Sequence, residues 1–308
     1  MLQQQNQSIH QTSLYSQVTD RIIAEFEQGI APWVQPWGRD GGSSGLGLPR
    51  NARTAKAYSG INILLLWDAV IRGGYVSQSW LTFKQALELG GCVRKGETGW
   101  SVCYADSFIP KNEKERASQD GGDPQSIPFL KRYTVFNVEQ CDGLPENIWL
   151  QPTLPDEREL IPRAEALIAA TGASFQIGGE IACYVPKLDA IRVPPQTAFH
   201  DQINYYRTVF HELGHWTGHK TRLDRSLTTK FGTQDYAREE LVAELATAFV
   251  CASLGIVPTV RHADYIGNWL QVLKDDARAI FKAASMASKA CDYILAFEQR
   301  TIVAEVAV

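Results

Sequence analysis

The sequence has no closely spaced cysteine pair, no long apolar run and no export signal at its start. Its six cysteines are scattered without a C-x-x-C pair, which argues against a disulfide framework and against a cysteine-based zinc site. No apolar run approaches the ~18 residues that a membrane-spanning helix needs. Residues 1–11 are rich in glutamine and lack the basic-then-apolar pattern of a signal peptide. We therefore expect a cytoplasmic protein with no membrane partner.

The chain does have enough apolar residues for two folded domains, and its charge is unevenly distributed. Of its 308 residues, 44% are hydrophobic and 21% are charged, a composition that excludes disorder as the dominant state. Residues 1–140 hold 14 basic and 13 acidic residues, whereas residues 141–308 hold 16 and 21. Residues 50–100 alone hold seven basic and three acidic residues. This asymmetry indicates that the two halves have different partners.

The hydrophobic pattern predicts helices and strands in both halves. Apolar residues at helical spacing indicate helices at residues 12–28, 62–71, 79–89, 161–171, 201–219, 237–254 and 263–297. We expect Ser79 to be the N-cap of the third helix and the last helix to break near 274–278. Short apolar runs indicate strands at 100–104, 131–138, around 184 and at 191–193. Residues 111–128 are interpreted as an exposed hairpin loop.

The strongest motif is His211-Glu212-Leu213-Gly214-His215, which lies in a predicted helix. Histidines at positions i and i+4 lie about 40° apart around a helix axis, so both imidazoles can bind one metal ion. Glu212 can then take a proton from a metal-bound water. The motif predicts a zinc site with Glu212 as the catalytic base.

A catalytic zinc usually has three protein ligands, and the third is not fixed by the motif. His219 is one helical turn further on, Asp224 follows in a loop, and Thr221 stands where some zinc peptidases have a third histidine. The spacing of Glu240 and Glu244 on the next helix resembles that of the gluzincin metallopeptidases. That resemblance implies Glu240 as the metal ligand and Glu244 as the residue that orients a ligand histidine. Glu239 or Glu244 as the ligand stays open.

A peptidase also needs a group that stabilises the oxyanion of the transition state. Tyr236, His219 and His262 are candidates, and the sequence does not choose among them.

The first half combines basic residues with aromatic residues. Cations neutralise phosphates and aromatic rings stack on unpaired bases, so this mixture favours single-stranded nucleic acid as a partner. No helix-turn-helix or zinc-finger pattern is present. Trp33 and Trp37, between prolines and a glycine-rich loop, are the tryptophans most expected to be exposed.

Five sequence blocks resemble the plasmid antirestriction proteins of the ArdC type. They are NARTAKAYSGINILL at 51–65, WLTFKQALELGGCVRKGETGWSVCY at 80–104, YTVFNVEQCDGL at 133–144, HELGHWTGH and REELVAELATAFV. The first part of the chain also resembles a domain found on some plasmid primases. The resemblance implies a domain that binds single-stranded DNA, a zincin-like metallopeptidase domain, and protection of incoming conjugative DNA from restriction. The residues in its basic blocks are Arg53, Lys56, Tyr58, Lys84, Arg94 and Lys95, which we predict to bind DNA with Trp33 and Trp37.

We therefore predict an α+β fold with two domains. Residues 1–145 form a mixed α/β domain that binds single-stranded DNA, residues 146–155 a linker, and residues 156–308 a mainly helical zincin-like metallopeptidase domain. One Zn²⁺ per chain is expected, although other divalent metals also suit the site. A restriction-modification subunit or another protein is the expected peptidase substrate. Two alternatives stay open: a plain cytosolic peptidase whose first domain positions protein substrates, and a non-catalytic DNA-binding protein with a structural zinc.

Overall fold

The structure is a computed structural model that describes residues 13–29, 31, 33–34, 47–110, 112–113, 116, 127–149, 157–227, 232–259 and 266–306. Trp37, His262 and most of the predicted linker lie outside these residues. The described helices are α1 (Leu14–Glu27), α2 (Ile61–Gly73), α3 (Phe83–Glu88), α4 (Glu146–Trp149), α5 (Glu157–Ala170), α6 (Gln202–Trp216), α7 (Gln234–Leu254), α8 (Ile266–Asp275) and α9 (Ala279–Val306). None of them is both long and apolar enough to cross a membrane.

The first part of the chain is built on a four-stranded sheet in the order β1-β2-β5-β4. Its strands are β1 (Arg50–Asn51), β2 (Ser79–Leu81), β4 (Trp100–Phe108) and β5 (Ile127–Asn137). Only β1 and β2 are parallel, and β4 and β5 form a long antiparallel hairpin. A separate antiparallel pair joins β3 (Cys92–Val93) to β6 (Cys141–Asp142). Helix α2 packs through Leu66, Ala69 and Val70 on one face of the four-stranded sheet.

The outer edge of β4 is protected by a side chain of α2. The Asn62 side-chain Nδ2 donates a hydrogen bond to the Cys103 backbone carbonyl, and the Cys103 backbone amide donates one to Asn62 Oδ1, both at 2.7 Å. The asparagine therefore pairs with the backbone as a neighbouring strand would. This contact explains a polar residue within the otherwise apolar run of residues 61–67 at the start of α2.

The second part of the chain is mainly helical, with one small sheet. Strands β7 (Ser174–Ile177), β8 (Cys183–Val185) and β9 (Ala190–Val193) pair in the order β7-β9-β8, so that β8 is an edge strand. Helices α6 and α7 pack against each other, and α9 packs along α7. The Thr233 hydroxyl caps α7 at its N-terminus by accepting from the Tyr236 amide, and Gly255 ends it with φ +83°.

One hydrophobic core extends across both parts of the chain. Val18, Ile22 and Phe26 of α1 belong to the same cluster of buried side chains as α7, α8 and α9. Trp67 of α2 is fully buried, and its ring lies 5.7 Å from that of Phe249 on α7. The two predicted domains therefore share apolar contacts directly.

The predicted fold class, mixed helix and sheet in two domains, is confirmed, but several element predictions need correction. Residues 79–81 form β2 rather than the start of a helix, because they pair with both β1 and β5. The helix α3 begins after Thr82, whose hydroxyl caps it in a capping box with Gln85, so Ser79 is not its N-cap. Helix α6 ends at Trp216, so His219 lies beyond it.

Candidate metal centre

Two neighbouring helices bring the histidine motif and the acidic segment together. Helix α6 carries His211 and His215, and α7 carries Glu240. The helices approach closely at Gly214, where an added Cβ atom would lie 3.2 Å from the Ala243 Cα atom and 3.4 Å from its carbonyl oxygen. The absence of a side chain at Gly214 therefore allows the close spacing that the site requires.

The Glu240 carboxylate faces both histidines. Its Oε2 lies 3.4 Å from His211 Nε2, and its Oε1 lies 3.5 Å from His215 Nε2. One ligand atom of each residue falls within 4.8 Å of the others. Ligands held about 2.0–2.2 Å from a tetrahedral zinc ion lie roughly 3.3–3.6 Å apart. The three side chains therefore fit a tetrahedral divalent ion with little movement.

A second layer of carboxylates contacts the opposite nitrogen of each imidazole. Glu239 Oε1 lies 3.2 Å from His215 Nδ1, and Glu244 Oε2 lies 3.5 Å from His211 Nδ1. A proton on Nδ1, held by a carboxylate, leaves the Nε2 lone pair for a metal. Glu244 thus lies where the sequence predicted an orienting residue, and Glu239 occupies the matching position on the other histidine.

A buried arginine that the sequence analysis did not identify holds Glu239. Arg225 is only 6% exposed at its side chain, and it donates to both Glu239 oxygens, at 3.0 and 2.8 Å. It also donates to the Gly214 carbonyl at 2.7 Å and to the Thr217 hydroxyl at 2.8 Å. Arg225 therefore ties the loop after α6 to the end of α6 and to α7.

The pKa values of the histidines reflect this surplus of carboxylates. Burial lowers the pKa of His211, but hydrogen bonds with Glu240 and Glu244 outweigh burial and raise the pKa to about 9. Burial likewise lowers the pKa of His215, and contacts with Glu239 and Glu240 raise it to about 10. Burial raises the pKa of Glu240, yet its histidine contacts reverse the direction and lower the pKa. The cluster therefore stabilises positive charge at its centre.

Glu212 is buried beside this cluster, near the edge strand β8. Only 6% of the residue is exposed. Burial raises the pKa of the Cys183 thiol on β8, and the nearby charge of Glu212 raises it further. The predicted base Glu212 thus lies close to strand β8 of the small sheet. Among the predicted oxyanion groups, His219 has its Nδ1 2.8 Å from the Thr221 hydroxyl.

The residues predicted to bind DNA fall into three groups. Lys56 and Lys95 are exposed, and Lys84 has 86% of its side chain exposed although its Nζ lies 3.7 Å from Glu88. Arg53 forms an ion pair with Glu88 at 2.5 Å, and Arg94 forms one with Glu97 at 2.7 Å. Tyr58 is partly buried against the core cluster around α2.

The prediction that Trp33 is exposed is wrong. Trp33 is fully buried, with its ring 5.5 Å from Phe26 and 5.8 Å from Trp269. Burial of this ring in the shared core is favoured in free energy over its exposure to water. The Trp33 ring is therefore not available to stack on a base.

The chain matches two protein families and several relatives along most of its length. The family described as the N-terminal domain of the anti-restriction factor ArdC matches residues 12–136, and the family of zincin-like metallopeptidases matches residues 162–286. The metal-free crystal structure of the antirestriction protein ArdC from plasmid R388 is 41% identical, with a TM-score of 0.77, over 94% of this chain and 98% of that one. The Mn(II)-bound structure of that protein gives a TM-score of 0.75 at 41% identity, over 92% and 98%.

Two curated relatives are also similar to this chain along most of its length. Protein y4eC of Sinorhizobium fredii is 40% identical over 292 residues, 92% of each protein. A DNA primase TraC of Escherichia coli is 38% identical over 94% of this chain, which spans only 27% of that primase. Both family matches and a relative of nearly equal length agree with the geometry above. The chain therefore belongs to the ArdC family of antirestriction proteins, with an ArdC-type N-terminal domain followed by a zincin-like metallopeptidase domain.

Proposed function

We propose that this protein binds single-stranded DNA, carries a zinc metallopeptidase site and protects incoming conjugative plasmid DNA from restriction in the cytoplasm of the recipient cell. The convergence of His211, His215 and Glu240 beside Glu212 is the observation that supports the peptidase. Membership of the ArdC family supports the role in antirestriction. The proposed substrate of the peptidase is a protein met on the DNA, such as a restriction-modification subunit.

In the proposed mechanism His211, His215 and Glu240 would hold a zinc ion, and Glu239 and Glu244 would fix the two imidazoles. The ion would supply a Lewis acid that polarises a peptide carbonyl and lowers the pKa of a water. Glu212 takes the proton of the attacking water and delivers it to the leaving amine. Two imidazoles and one carboxylate are also the zinc ligands of known zinc hydrolases, so this set of donors suits zinc.

Metal analysis tests the site itself. We expect about one zinc per chain in the wild-type protein and a large loss in His215→Ala, because one of three ligands is removed. His200→Ala is the matched control, since His200 is fully exposed at its side chain and lies outside the cluster. Equal zinc content in wild type and His215→Ala would contradict the proposed centre.

Glu212→Gln separates a catalytic zinc from a structural zinc. The variant keeps nearly the same size and should keep its zinc content and its melting temperature, while losing the ability to accept the proton. We expect cleavage of the protein substrate, such as a restriction-modification subunit, to stop. If Glu212→Gln protects conjugative DNA as well as wild type does, the peptidase chemistry is not needed for protection.

DNA binding is tested by fluorescence anisotropy with a labelled 30-nucleotide oligo(dT). We expect tight binding that weakens steeply as salt rises, because each phosphate contact releases a bound counterion. A duplex of the same length serves as the comparison. Absence of binding to the single strand at low salt would overturn this part of the proposal.

A further inference from the structure

The middle of the β4–β5 hairpin presents two exposed tyrosines close to each other. Tyr104 and Tyr133 are 56% and 46% exposed, and their ring centroids lie 6.3 Å apart with an interplanar angle of 83°. They lie on the same face of the sheet, because Tyr104 pairs with Lys131 and Val102 pairs with Tyr133 in register. Exposed aromatic rings so close together are unusual on a surface that has no partner.

The same face is apolar and covered further along the hairpin. Val102 and Val135 are buried under α2, and Trp100 contacts Tyr75 with its ring. The row of side chains along this face therefore continues from a covered segment into an open one. The tyrosines lie beyond the part of the face that α2 covers.

A lysine lies beside the pair on the same face of the sheet. Lys131 is exposed and lies directly across from Tyr104, so its side chain is on the face of the two tyrosines. Arg132, the next residue on β5, lies on the opposite face and donates to the Gln17 side chain at 2.6 Å. A lysine beside two exposed rings suits a single strand, because the ammonium group attracts a phosphate while the rings stack on bases.

The strand that carries Tyr104 is held firmly. The two hydrogen bonds between Asn62 and the Cys103 backbone fix β4 one residue before the tyrosine. Binding of a flexible strand costs less when the surface is already ordered. Tyr104 is therefore held on an ordered strand rather than on a loop.

We propose that Tyr104 and Tyr133 are the base-stacking surface for single-stranded DNA, with Lys131 contacting the phosphate backbone. This inference rests on the proposed DNA-binding function and names a surface for it. Neither tyrosine was among the residues that the sequence analysis assigned to DNA, although both lie in the basic, aromatic half of the chain.

The test measures oligo(dT) affinity of the full-length protein over a range of salt concentrations. Loss of one stacked base corresponds to about 5- to 150-fold weaker binding. We therefore expect Tyr104→Ala and Tyr133→Ala each to weaken binding by on the order of tenfold without changing the salt slope. Tyr104→Phe and Tyr133→Phe keep the rings and should bind as wild type does. Lys131→Gln should instead reduce the salt slope by roughly 0.7, the value for one phosphate contact on a single strand.

Ile181→Ala is the control for loss of exposed apolar surface, because Ile181 is 75% exposed and lies in the C-terminal part of the chain. Melting temperatures show whether each variant is folded, and a variant that unfolds is replaced by the corresponding Ser substitution. If wild type binds the oligonucleotide and the double alanine variant binds equally well, this inference is overturned while the proposed DNA binding stands. If wild type itself does not bind, both fail.

Discussion

Arg225 is the residue whose role is clearest from the structure and least visible in the sequence. It lies ten residues after His215, in the loop that leaves α6, and it returns to pair with Glu239 on α7. Nothing in the local sequence distinguishes it from Arg222, three residues earlier, which pairs with Asp189 instead. Its contact depends on how the loop folds back, and this path is fixed by tertiary packing.

Replacing Arg225 should weaken metal binding. In Arg225→Met the Glu239 carboxylate stays buried without its bidentate partner, so it no longer holds the His215 imidazole in place. We expect zinc affinity, measured by competition with a chelator, to fall about 10- to 100-fold. Arg192→Met is the control, because Arg192 is exposed on β9 and bonds to Gln176. Unchanged zinc affinity in Arg225→Met would show that Glu239 needs no cation to position the histidine.

The pairing of Asp189 with Arg222 predicts a pH-dependent stability. Hydrogen bonds from Arg222 lower the pKa of Asp189 despite some desolvation, and the Tyr184 hydroxyl adds a further bond. The pKa of Asp189 in the folded protein is below its unfolded value of about 3.9, so the ionised carboxylate stabilises the fold above that pH. This stabilisation is lost as the pH falls through the folded-state pKa.

Asp189→Asn should therefore lower the melting temperature at pH 7, and the difference should shrink towards pH 3. Asparagine tolerates the positive φ of 46° at this position, so the backbone is not strained by the change. Thermal unfolding at both pH values gives the measurement. A difference that is the same at pH 3 and pH 7 would mean that the ion pair does not contribute.

At the scale of elements, the long periodic segments were predictable, whereas several of the short ones were not. The helices around Val18, Leu66, Val209 and Leu245 have apolar residues at helical spacing over three or more turns, and all are observed. Residues 79–81 have no such length, and their strand conformation comes from pairing with segments distant in sequence. The pairing of His211 with His215 was predicted from helical spacing, and Glu240 was implied by the resemblance to the gluzincin metallopeptidases. The contacts of Arg225 with Glu239 could be seen only in the packed structure.

The close contact between α6 and α7 predicts a specific effect of adding one methyl group. Gly214→Ala places a Cβ atom against the backbone of Ala243, which cannot move as a side-chain end could. We expect a loss of stability of about 1–3 kcal/mol and weaker zinc binding, since the helices must separate.

Gly267→Ala in the first turn of α8 is the matched control for that change. A Cβ atom there meets nothing within 4 Å, so helix propensity alone should act, and stability should rise slightly or stay unchanged. Denaturant unfolding and chelator competition measure both variants. If Gly214→Ala behaves like Gly267→Ala, the helix contact does not control the metal centre.

At the scale of the whole molecule, the shared core predicts that the two parts unfold together. Trp67 of α2 contacts Phe249, which lies five residues after Glu244 on α7. We expect one calorimetric transition for the full chain and low stability for separate fragments 1–145 and 156–308, which would each expose part of that core.

Trp67→Ala should destabilise the whole chain by about 3–5 kcal/mol, the usual cost of removing a large buried aromatic side chain. Zinc release on heating should then occur at a lower temperature, together with loss of oligonucleotide binding. Leu188→Ala, at a residue 57% exposed, should leave the temperatures of zinc release and of loss of oligonucleotide binding unchanged. Two transitions, of which Trp67→Ala shifts only one, would show that the domains are independent.

The common core also has a consequence for how such proteins evolve. Substitutions along α1 and α2 must remain compatible with α7, α8 and α9, because their side chains fill one interior. Recombination that exchanged only one of the two parts of the chain would bring together core side chains that had never been selected together. The two parts should therefore be inherited as a pair, and in the Escherichia coli primases the region of similarity does span both of them.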